Sequence, residues 1–236
     1  MTRKLKALGL MFGALLAMSA VAAPVASADD FTSEAVTPIL TGTNEVEKPD
    51  AFQTTAGVVQ CKHAVYESIN AAGAIAGVTT PTTTVTIRPT YPAAAPDGTH
   101  NCTVAGLPQT THMNGCDFKF TITGGTSTVG DVKLECPAGN EVTVTTNVTP
   151  TGTATVRCTL HIPEQTLTGD PITYTNAAGD IIVSINAHGI SYKHTTGTGL
   201  GSCTSGSAAN GTYVGKALIG GETAGGANIN LLLSNV

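Results

Sequence analysis

Six cysteines are the residues of this chain whose type and spacing most clearly predict a chemistry. They are Cys61, Cys102, Cys116, Cys136, Cys158 and Cys203. Successive cysteines lie 41, 14, 20, 22 and 45 residues apart and no CxxC pair occurs, so the spacing fits neither a zinc ribbon nor a zinc finger. We therefore expect three disulfide bonds, and we predict no metal site and no cofactor.

The sequence alone does not choose among the fifteen possible pairings of these cysteines. Short intervening segments favour a bond between Cys102 and Cys116 and another between Cys136 and Cys158, which leaves Cys61 to bond with Cys203. Closing a loop of the second size contributes about 3 kcal/mol to stability in the chain-entropy model. We expect reduction of the bonds to loosen the fold.

The histidines predict no shared metal site. His188 and His194 are six residues apart, and on one regular strand they would face the same side about 20 Å from each other. His161 falls on the polar face of its predicted strand, where we expect a solvated side chain. His63 alternates in phase with apolar neighbours, which predicts a hydrogen-bonded, half-buried residue rather than a catalyst.

Signatures of common hydrolases are missing from the sequence. It contains no GxSxG motif, no HExxH motif and no phosphate-binding glycine loop. Two carboxylates that cleave a glycoside could still meet in space. Such sites usually also present aromatic platforms, however, and this chain has no Trp, five Phe and five Tyr. We predict that the protein is not an enzyme.

Alternation of apolar and polar residues with a period of two predicts the elements that position these residues. In residues 116–122, 132–136 and 156–162 the cysteine lies on the apolar face of its strand, so packing and cross-linking favour the same register. Residues 141–148 and 155–162 predict a hairpin. The further predicted strands cover residues 57–69, 83–89, 171–174, 180–192, 211–219 and 227–233.

These strands predict an all-β fold, an antiparallel β-sandwich or sandwich-like barrel of about ten strands, stabilised by disulfides. Its core would consist mainly of small and β-branched side chains, which suit a pleated sheet. We expect residues 1–28 to be a signal peptide, residues 29–55 to be a poorly defined N-terminal segment, and residues 56–236 to form an all-β extracellular domain.

The first residues predict export. Three basic residues at positions 3, 4 and 6 precede an apolar run, and Ala26-Ser27-Ala28 fits a cleavage site. Removal of this segment leaves 8 basic and 16 acidic residues, a net charge of about −8, which argues against nucleic acid as a partner. The mature chain contains no predicted membrane span. We expect a secreted, extracellular protein.

An ordered set of short motifs carries a resemblance to a known group. The set comprises NGCDF at 114–118, LECPAG at 134–139, CTLHIP at 158–163, ITYTN at 172–176 and NGTYVG at 210–215. It resembles a family of uncharacterised secreted actinobacterial Thr-rich, Cys-containing β-proteins. The resemblance implies an exported Gram-positive β-protein with paired cysteines, and it implies no activity, ligand or catalytic residue.

Three hypotheses for function follow. The first is a non-enzymatic extracellular protein with a structural or interaction role, whose partner is unknown and could be a cell surface or a small molecule. The second is a small-ligand or carbohydrate-binding module that uses Tyr91, Tyr174, Tyr192 and Tyr213 in a cleft. The third is a secreted hydrolase or a protease inhibitor, for which residues 104–115 would provide an exposed reactive loop.

Overall fold

The computed structural model of the protein describes residues 30–44, 48–70, 72–123, 128–148, 155–197 and 203–234. The predicted signal peptide lies outside these ranges, and so do residues 124–125 and 150–152, whose glycines and proline predict turns. In the described part of the chain, no helix has the length and apolar character needed to cross a membrane.

Antiparallel strands form all the regular secondary structure of the described residues. The strands are β1 (Phe31–Ser33), β2 (Ile39–Asn44), β3 (Asp50–Thr54), β4 (Gly57–Cys61), β5 (Val65–Ser68), β6 (Thr84–Thr90), β7 (Cys102–Val104), β8 (Leu107–His112), β9 (Asp117–Ile122), β10 (Val129–Glu135), β11 (Val142–Val148), β12 (Thr155–Ile162), β13 (Gln165–Ala177), β14 (Asp180–Thr196), β15 (Gly206–Glu222), β16 (Asn228–Ile229) and β17 (Leu231–Leu233).

The predicted all-β, antiparallel, disulfide-linked fold is confirmed, with seventeen strands in the described residues rather than about ten. The strands that the sequence did not predict are β1, β2 and β3, which lie within residues 29–55, and the β7–β8 hairpin. They are short, and in β8 the buried residue is Gln109, which bonds Thr146 on the neighbouring β11 at 2.7 Å. A polar pair at a buried position removes the apolar alternation on which the prediction depends.

Fifteen of the strands form one continuous sheet that closes on itself twice. The first circuit runs through β2, β5, β6, β9, β10 and β13, and the second through β3, β4, β7, β8, β11 and β12. The two long strands β14 and β15 belong to both circuits. β14 pairs with β13 near its start and with β12 near its end, and β15 pairs with β3 before it pairs with β2.

A bulge in β14 turns both of its halves toward a core. Gly189 has a φ of +74° and lies where the register with β15 shifts. An extra residue in one strand reverses which face the following side chains occupy. Ile181 and Val183 are therefore buried before the bulge, and Tyr192 and His194 are buried after it. The expectation that His188 and His194 face the same side was wrong, because His188 is exposed and His194 is buried.

Each circuit encloses its own core. The first core packs around Leu40, Ile172 and Tyr174, and the β1–β17 pair covers it with Phe31 and Leu231. The second core is built on apolar residues of β3, β4, β11 and β14. A third, smaller cluster contains Cys116, Leu134 and Val142.

All six cysteines form disulfides, but the predicted pairing was wrong at every bond. The bonds join Cys61 to Cys102, Cys116 to Cys136 and Cys158 to Cys203. Sheet register explains the first two. Cys61 and Cys102 are direct neighbours on β4 and β7, and the Cys116–Cys136 bond continues the β9–β10 ladder one step past its Asp117–Glu135 pair.

The pairing of Cys136 with Cys158 fails for the same reason. The predicted hairpin of β11 and β12 is confirmed, but Cys158 lies within that ladder opposite Thr146 and does not flank it as Cys136 does. On its other side Cys158 faces Thr196 of β14, whose hydroxyl donates to the Cys203 carbonyl at 2.8 Å. The chain after β14 therefore brings Cys203 to Cys158.

Candidate functional site

A buried carboxylate lies at the start of β3. Asp50 is only 3% exposed, and its backbone is fixed opposite Cys61 in the β3–β4 hairpin. The Tyr66 hydroxyl donates a 2.8 Å hydrogen bond to Oδ2 of Asp50. Oδ1 has no hydrogen-bond partner among the described residues. Because buried polar atoms are nearly always paired, an unpaired carboxylate oxygen marks a candidate binding position.

Three tyrosines from three elements surround this carboxylate. Tyr66 comes from β5, Tyr91 follows β6 directly, and Tyr213 lies on β15 opposite Phe52 of β3. Burial raises the pKa of each of the three hydroxyls, and the nearby Asp50 charge raises it further. The hydroxyls are therefore protonated at neutral pH. The Tyr213 hydroxyl approaches Asp50 closely enough to favour the ionised carboxylate, but neither this hydroxyl nor Oδ1 of Asp50 makes a hydrogen bond of good geometry in the described structure.

Gly215 makes room for this arrangement. A Cβ at residue 215 would lie 2.6 Å from Oδ1 of Asp50 and 3.1 Å from the Tyr213 hydroxyl oxygen. A side chain at residue 215 would displace the Asp50 carboxylate or the Tyr213 phenol. The site therefore depends on the absence of a side chain at residue 215.

Asp50, Tyr91 and Tyr213 border an internal cavity of about 100 Å³, which we call the junction cavity. It lies where the three hydrophobic clusters meet. Phe52 and Val144 reach it from the second core, Ile185 and Leu167 contact both large cores, and Leu134 belongs to the third cluster. Nearly all of its wall is apolar, and Oδ1 of Asp50 and the Tyr213 hydroxyl oxygen are buried behind that wall.

A groove of about 400 Å³ on the outside of the molecule shares part of this wall. This outer groove runs along residues 88–93 and residues 109–114. Tyr91, Thr111 and Met113 border both the outer groove and the junction cavity. These three side chains therefore form a wall that the outer groove and the junction cavity share.

The electrostatics of the site follow from burial. Desolvation raises the pKa of Asp50 from 3.8 to about 6, although the Tyr66 and Tyr213 hydroxyls favour the ionised form. Among the ion pairs of the described residues, none includes Asp50. Arg88 in the outer groove is held by both oxygens of Asp117, at 2.7 and 3.1 Å, so its charge is already paired.

The structure brings together only part of the predicted tyrosine set. Tyr91 and Tyr213 meet at the junction cavity. Tyr174 packs edge-on against Phe31 in the first core, and Tyr192 donates to Asn210 and packs against Phe52 in the second. Cys61 lines the cavity as half of a disulfide. No cluster of three or more metal-ligating side chains occurs among the described residues.

A second polar arrangement lies on the outer face of the sheet. His161 bonds the Glu141 carboxylate through Nδ1 and the Thr195 hydroxyl through Nε2, the latter at 2.9 Å. The His161 side chain is 21% exposed, so the expected solvated histidine was wrong. The order of carboxylate, imidazole and hydroxyl is that of a nucleophilic relay. None of these three residues lines the junction cavity or the outer groove.

The predicted reactive loop at residues 104–115 was also wrong. Most of this segment is β8, which is paired with β7 on one side and β11 on the other. A strand held on both sides cannot insert into a protease cleft as an extended free loop.

Asp50, Tyr66 and Gly215 were not predicted from the sequence. The four polar side chains of the site, Asp50, Tyr66, Tyr91 and Tyr213, are far apart in the chain, and no spacing rule links them.

Comparison with known proteins adds no assignment: no family model, no curated protein and no solved structure matches this chain. Function is therefore inferred from the site itself.

Proposed function

We propose that this protein is a secreted, non-enzymatic binding module that holds a small, largely apolar molecule in the junction cavity. The observation that carries the proposal is an internal space of about 100 Å³ with an almost entirely apolar wall, at the meeting point of three hydrophobic clusters. Binding sites for small molecules are concave and lined mainly by apolar and aromatic side chains.

Three further observations support this function. The outer groove offers a route through Tyr91 and Met113. The three disulfides are typical of an oxidising compartment, which agrees with the predicted export signal. The volume of about 100 Å³ approaches that of apolar cavities that take up benzene or xenon, roughly 150 Å³.

Xenon and benzene test the proposal directly. We expect crystals pressurised with xenon to show an atom in the junction cavity, and benzene to shift the methyl resonances of Val59, Val144 and Ile190. Ala187→Leu should abolish both effects, because Ala187 lines the cavity and is buried. Ala209→Leu is the matched control, since Ala209 is exposed on β15.

A folded wild-type protein that takes up neither probe would overturn the proposal. If Ala187→Leu does not fold, Ala187→Val fills less of the space and serves the same purpose. Uptake that persists in a folded Ala187 variant would place the probe elsewhere and would also count against the junction cavity.

The Glu141–His161–Thr195 relay favours a second candidate, acyl transfer with Thr195 as nucleophile. The distances suit such a role, but a catalyst also needs a concave surface for its substrate. A fluorophosphonate probe separates the two functions. The binding module predicts no labelling, whereas labelling that is lost in Thr195→Val and His161→Ala would establish the relay as catalytic.

A further inference from the structure

We infer that a second binding site lies at one end of the second circuit, where a groove takes up an uncharged apolar molecule whose hydroxyl group bonds His194. This site is separate from the junction cavity, and the proposed function does not depend on it.

The groove lies near the ends of β3, β7, β11 and β14 and near the starts of β4, β8 and β12. We call it the end groove, and its volume is about 400 Å³. The turn residues Thr55 and Ala56 border it, and so does the disulfide between Cys158 and Cys203. The end of a closed circuit of strands is a common place for a small-molecule site.

His194 is the polar group of this groove that lacks a partner. It is 5% exposed, and its ring packs edge-on against Tyr192 with the ring centres 5.1 Å apart. Neither imidazole nitrogen forms a hydrogen bond with a described residue, and neither is sealed from the groove as Oδ1 of Asp50 is from the junction cavity. Because buried polar groups are nearly always paired, the unpaired imidazole points to a bound molecule.

Other polar side chains of the end groove already bond within the protein. Gln109 and Thr146 bond each other at 2.7 Å, and the Thr54 hydroxyl donates to the Gly57 carbonyl at 3.1 Å. His194 is therefore the position at which a ligand is selected by its hydrogen-bonding group.

The charge of the groove selects an uncharged ligand. No charged side chain is found among the described residues that border it. Desolvation lowers the pKa of His194, so its imidazole is neutral at pH 7.5. An ionised ligand would lose its water here and gain no counter-ion. A neutral imidazole has one donor and one acceptor, and a hydroxyl group can bond either nitrogen.

The rest of the wall sets the size of the ligand. Val59, Leu107 and Leu160 offer apolar surface, and Val59 and Leu160 belong to the second core. The volume of about 400 Å³ is well above the roughly 150 Å³ of an apolar cavity that takes up benzene. The groove therefore has room for a ring with alkyl branches, as in an alkylphenol.

Carvacrol and para-cymene provide the test, because the two have the same ring and branches and differ only in the hydroxyl group. With wild-type protein at pH 7.5, NMR titration of the Leu107 methyl groups should give an affinity for carvacrol at least tenfold above that for para-cymene. A site that hydrogen-bonds a hydroxyl group rejects the analogue without it, since its own polar group then stays unpaired. Cuminate, an anion of similar size, should not bind.

His194→Phe keeps a ring at this position and removes both nitrogens, so the affinity for carvacrol should fall to that for para-cymene. His188→Phe is the matched control, because His188 is exposed on the same strand, and it should bind carvacrol like wild type. A further measurement requires no variant: the imidazole nitrogen resonances of His194 should shift on addition of carvacrol and not on addition of para-cymene.

Location must also be tested, since Val59 and Val144 border both the end groove and the junction cavity. Ala187 borders only the junction cavity, so Ala187→Leu should leave carvacrol binding unchanged. Loss of carvacrol binding in a folded Ala187→Leu variant would place the compound in the junction cavity and overturn the second site.

Equal affinities for carvacrol and para-cymene, binding of cuminate, or a carvacrol preference that survives in folded His194→Phe would also overturn it. So would a wild-type protein that binds neither compound. If His194→Phe does not fold, the imidazole resonances of wild type decide the question. Exclusion of xenon and benzene from the junction cavity would refute the proposed function and leave this site standing.

Discussion

The carboxylate of Asp50 fills the space in which residue 215 would carry a side chain, because Oδ1 lies 2.6 Å from the position of a Cβ on Gly215. The two residues belong to neighbouring strands of the second circuit, β3 and β15. Gly215 has no positive φ, so its requirement is for space and not for backbone freedom.

Gly215→Ala should therefore disrupt the site. The added methyl group forces Asp50 or Tyr213 to move, and overpacking of this kind costs about 1–3 kcal/mol of unfolding free energy. Urea denaturation measures this loss.

Gly206→Ala on the same strand is the control. No atom lies within 4 Å of the position of its Cβ, so this variant should unfold within about 0.5 kcal/mol of wild type. If Gly215→Ala unfolds with the same free energy as Gly206→Ala, Asp50 does not lie as close to residue 215 as described here.

Ionisation of Asp50 should make the unliganded fold less stable as the pH rises. Its pKa is raised in the folded state from 3.8 to about 6, so the folded protein binds this proton more tightly than the unfolded chain. The stabilisation is complete below about pH 3.8 and is lost as the pH rises through about 6. This difference in proton affinity between the folded and unfolded states corresponds to about 3 kcal/mol of unfolding free energy.

Comparison with Asp50→Asn isolates this effect. Burial lowers the pKa of His194, which makes stability rise with pH over an overlapping range, and this contribution is common to both proteins. From about pH 4 to 7.5, the unfolding free energy of wild type minus that of Asp50→Asn should fall by about 3 kcal/mol. A constant difference across this range would mean that Asp50 is hydrated or paired in solution.

The strands that the sequence predicts best are those whose two faces differ in polarity. β9, β10 and β12 alternate cleanly, and the structure places them within a few residues of the predicted bounds. The glycines at 124–125, which lie outside the described residues, also predict a turn after β9. Extending that alternation outward places Cys116 opposite Cys136, so this disulfide was predictable from register, whereas loop length was a misleading guide.

The candidate site could not be predicted in this way. Asp50 and Tyr213 come together because the second circuit closes β3 onto β15, and Tyr66 and Tyr91 reach them from β5 and from the end of β6 in the first circuit. Pairing between strands so distant in sequence leaves no local pattern. The resemblance to secreted actinobacterial β-proteins remains a prediction, and it carried no ligand that could have directed attention to these residues.

The side chain of Asn101 is fully buried and bonds backbone groups of His63 and Pro92 in place of a neighbouring strand. Its side-chain oxygen accepts from the backbone N–H of His63 at 2.7 Å, and its amide donates to the carbonyls of His63 and Pro92. Asn101→Asp would set a carboxylate against these two carbonyls and leave them without a donor. We expect a loss of about 3 kcal/mol or more in unfolding free energy at pH 7, measured by urea denaturation.

Asn140→Asp provides the comparison for this substitution. Asn140 is exposed, and its amide donates only to the Asn114 carbonyl. Its replacement should cost less than about 1 kcal/mol, because water can take over the lost bond. Equal losses of unfolding free energy in the two variants would show that the buried hydrogen bonds of Asn101 contribute no more to stability than an exposed one.

The disulfide pairing predicts a specific pattern of linked tryptic peptides from unreduced protein digested in denaturant with free thiols blocked. Trypsin separates Cys61 from the others after Lys62, but leaves Cys102 and Cys116 together on residues 63–119, because Arg88 precedes proline. Bonds from Cys61 to Cys102 and from Cys116 to Cys136 would join three peptides into one species.

The remaining bond, from Cys158 to Cys203, would join residues 158–193 to residues 194–216 as a second species. The pairing favoured by loop length gives a different result, with residues 63–119 closed on themselves and released as a single peptide. Intact-mass analysis before and after reduction distinguishes the two patterns. Detection of the closed 63–119 peptide would contradict the cross-strand bond between β4 and β7, and with it the register that places Asp50 opposite Cys61.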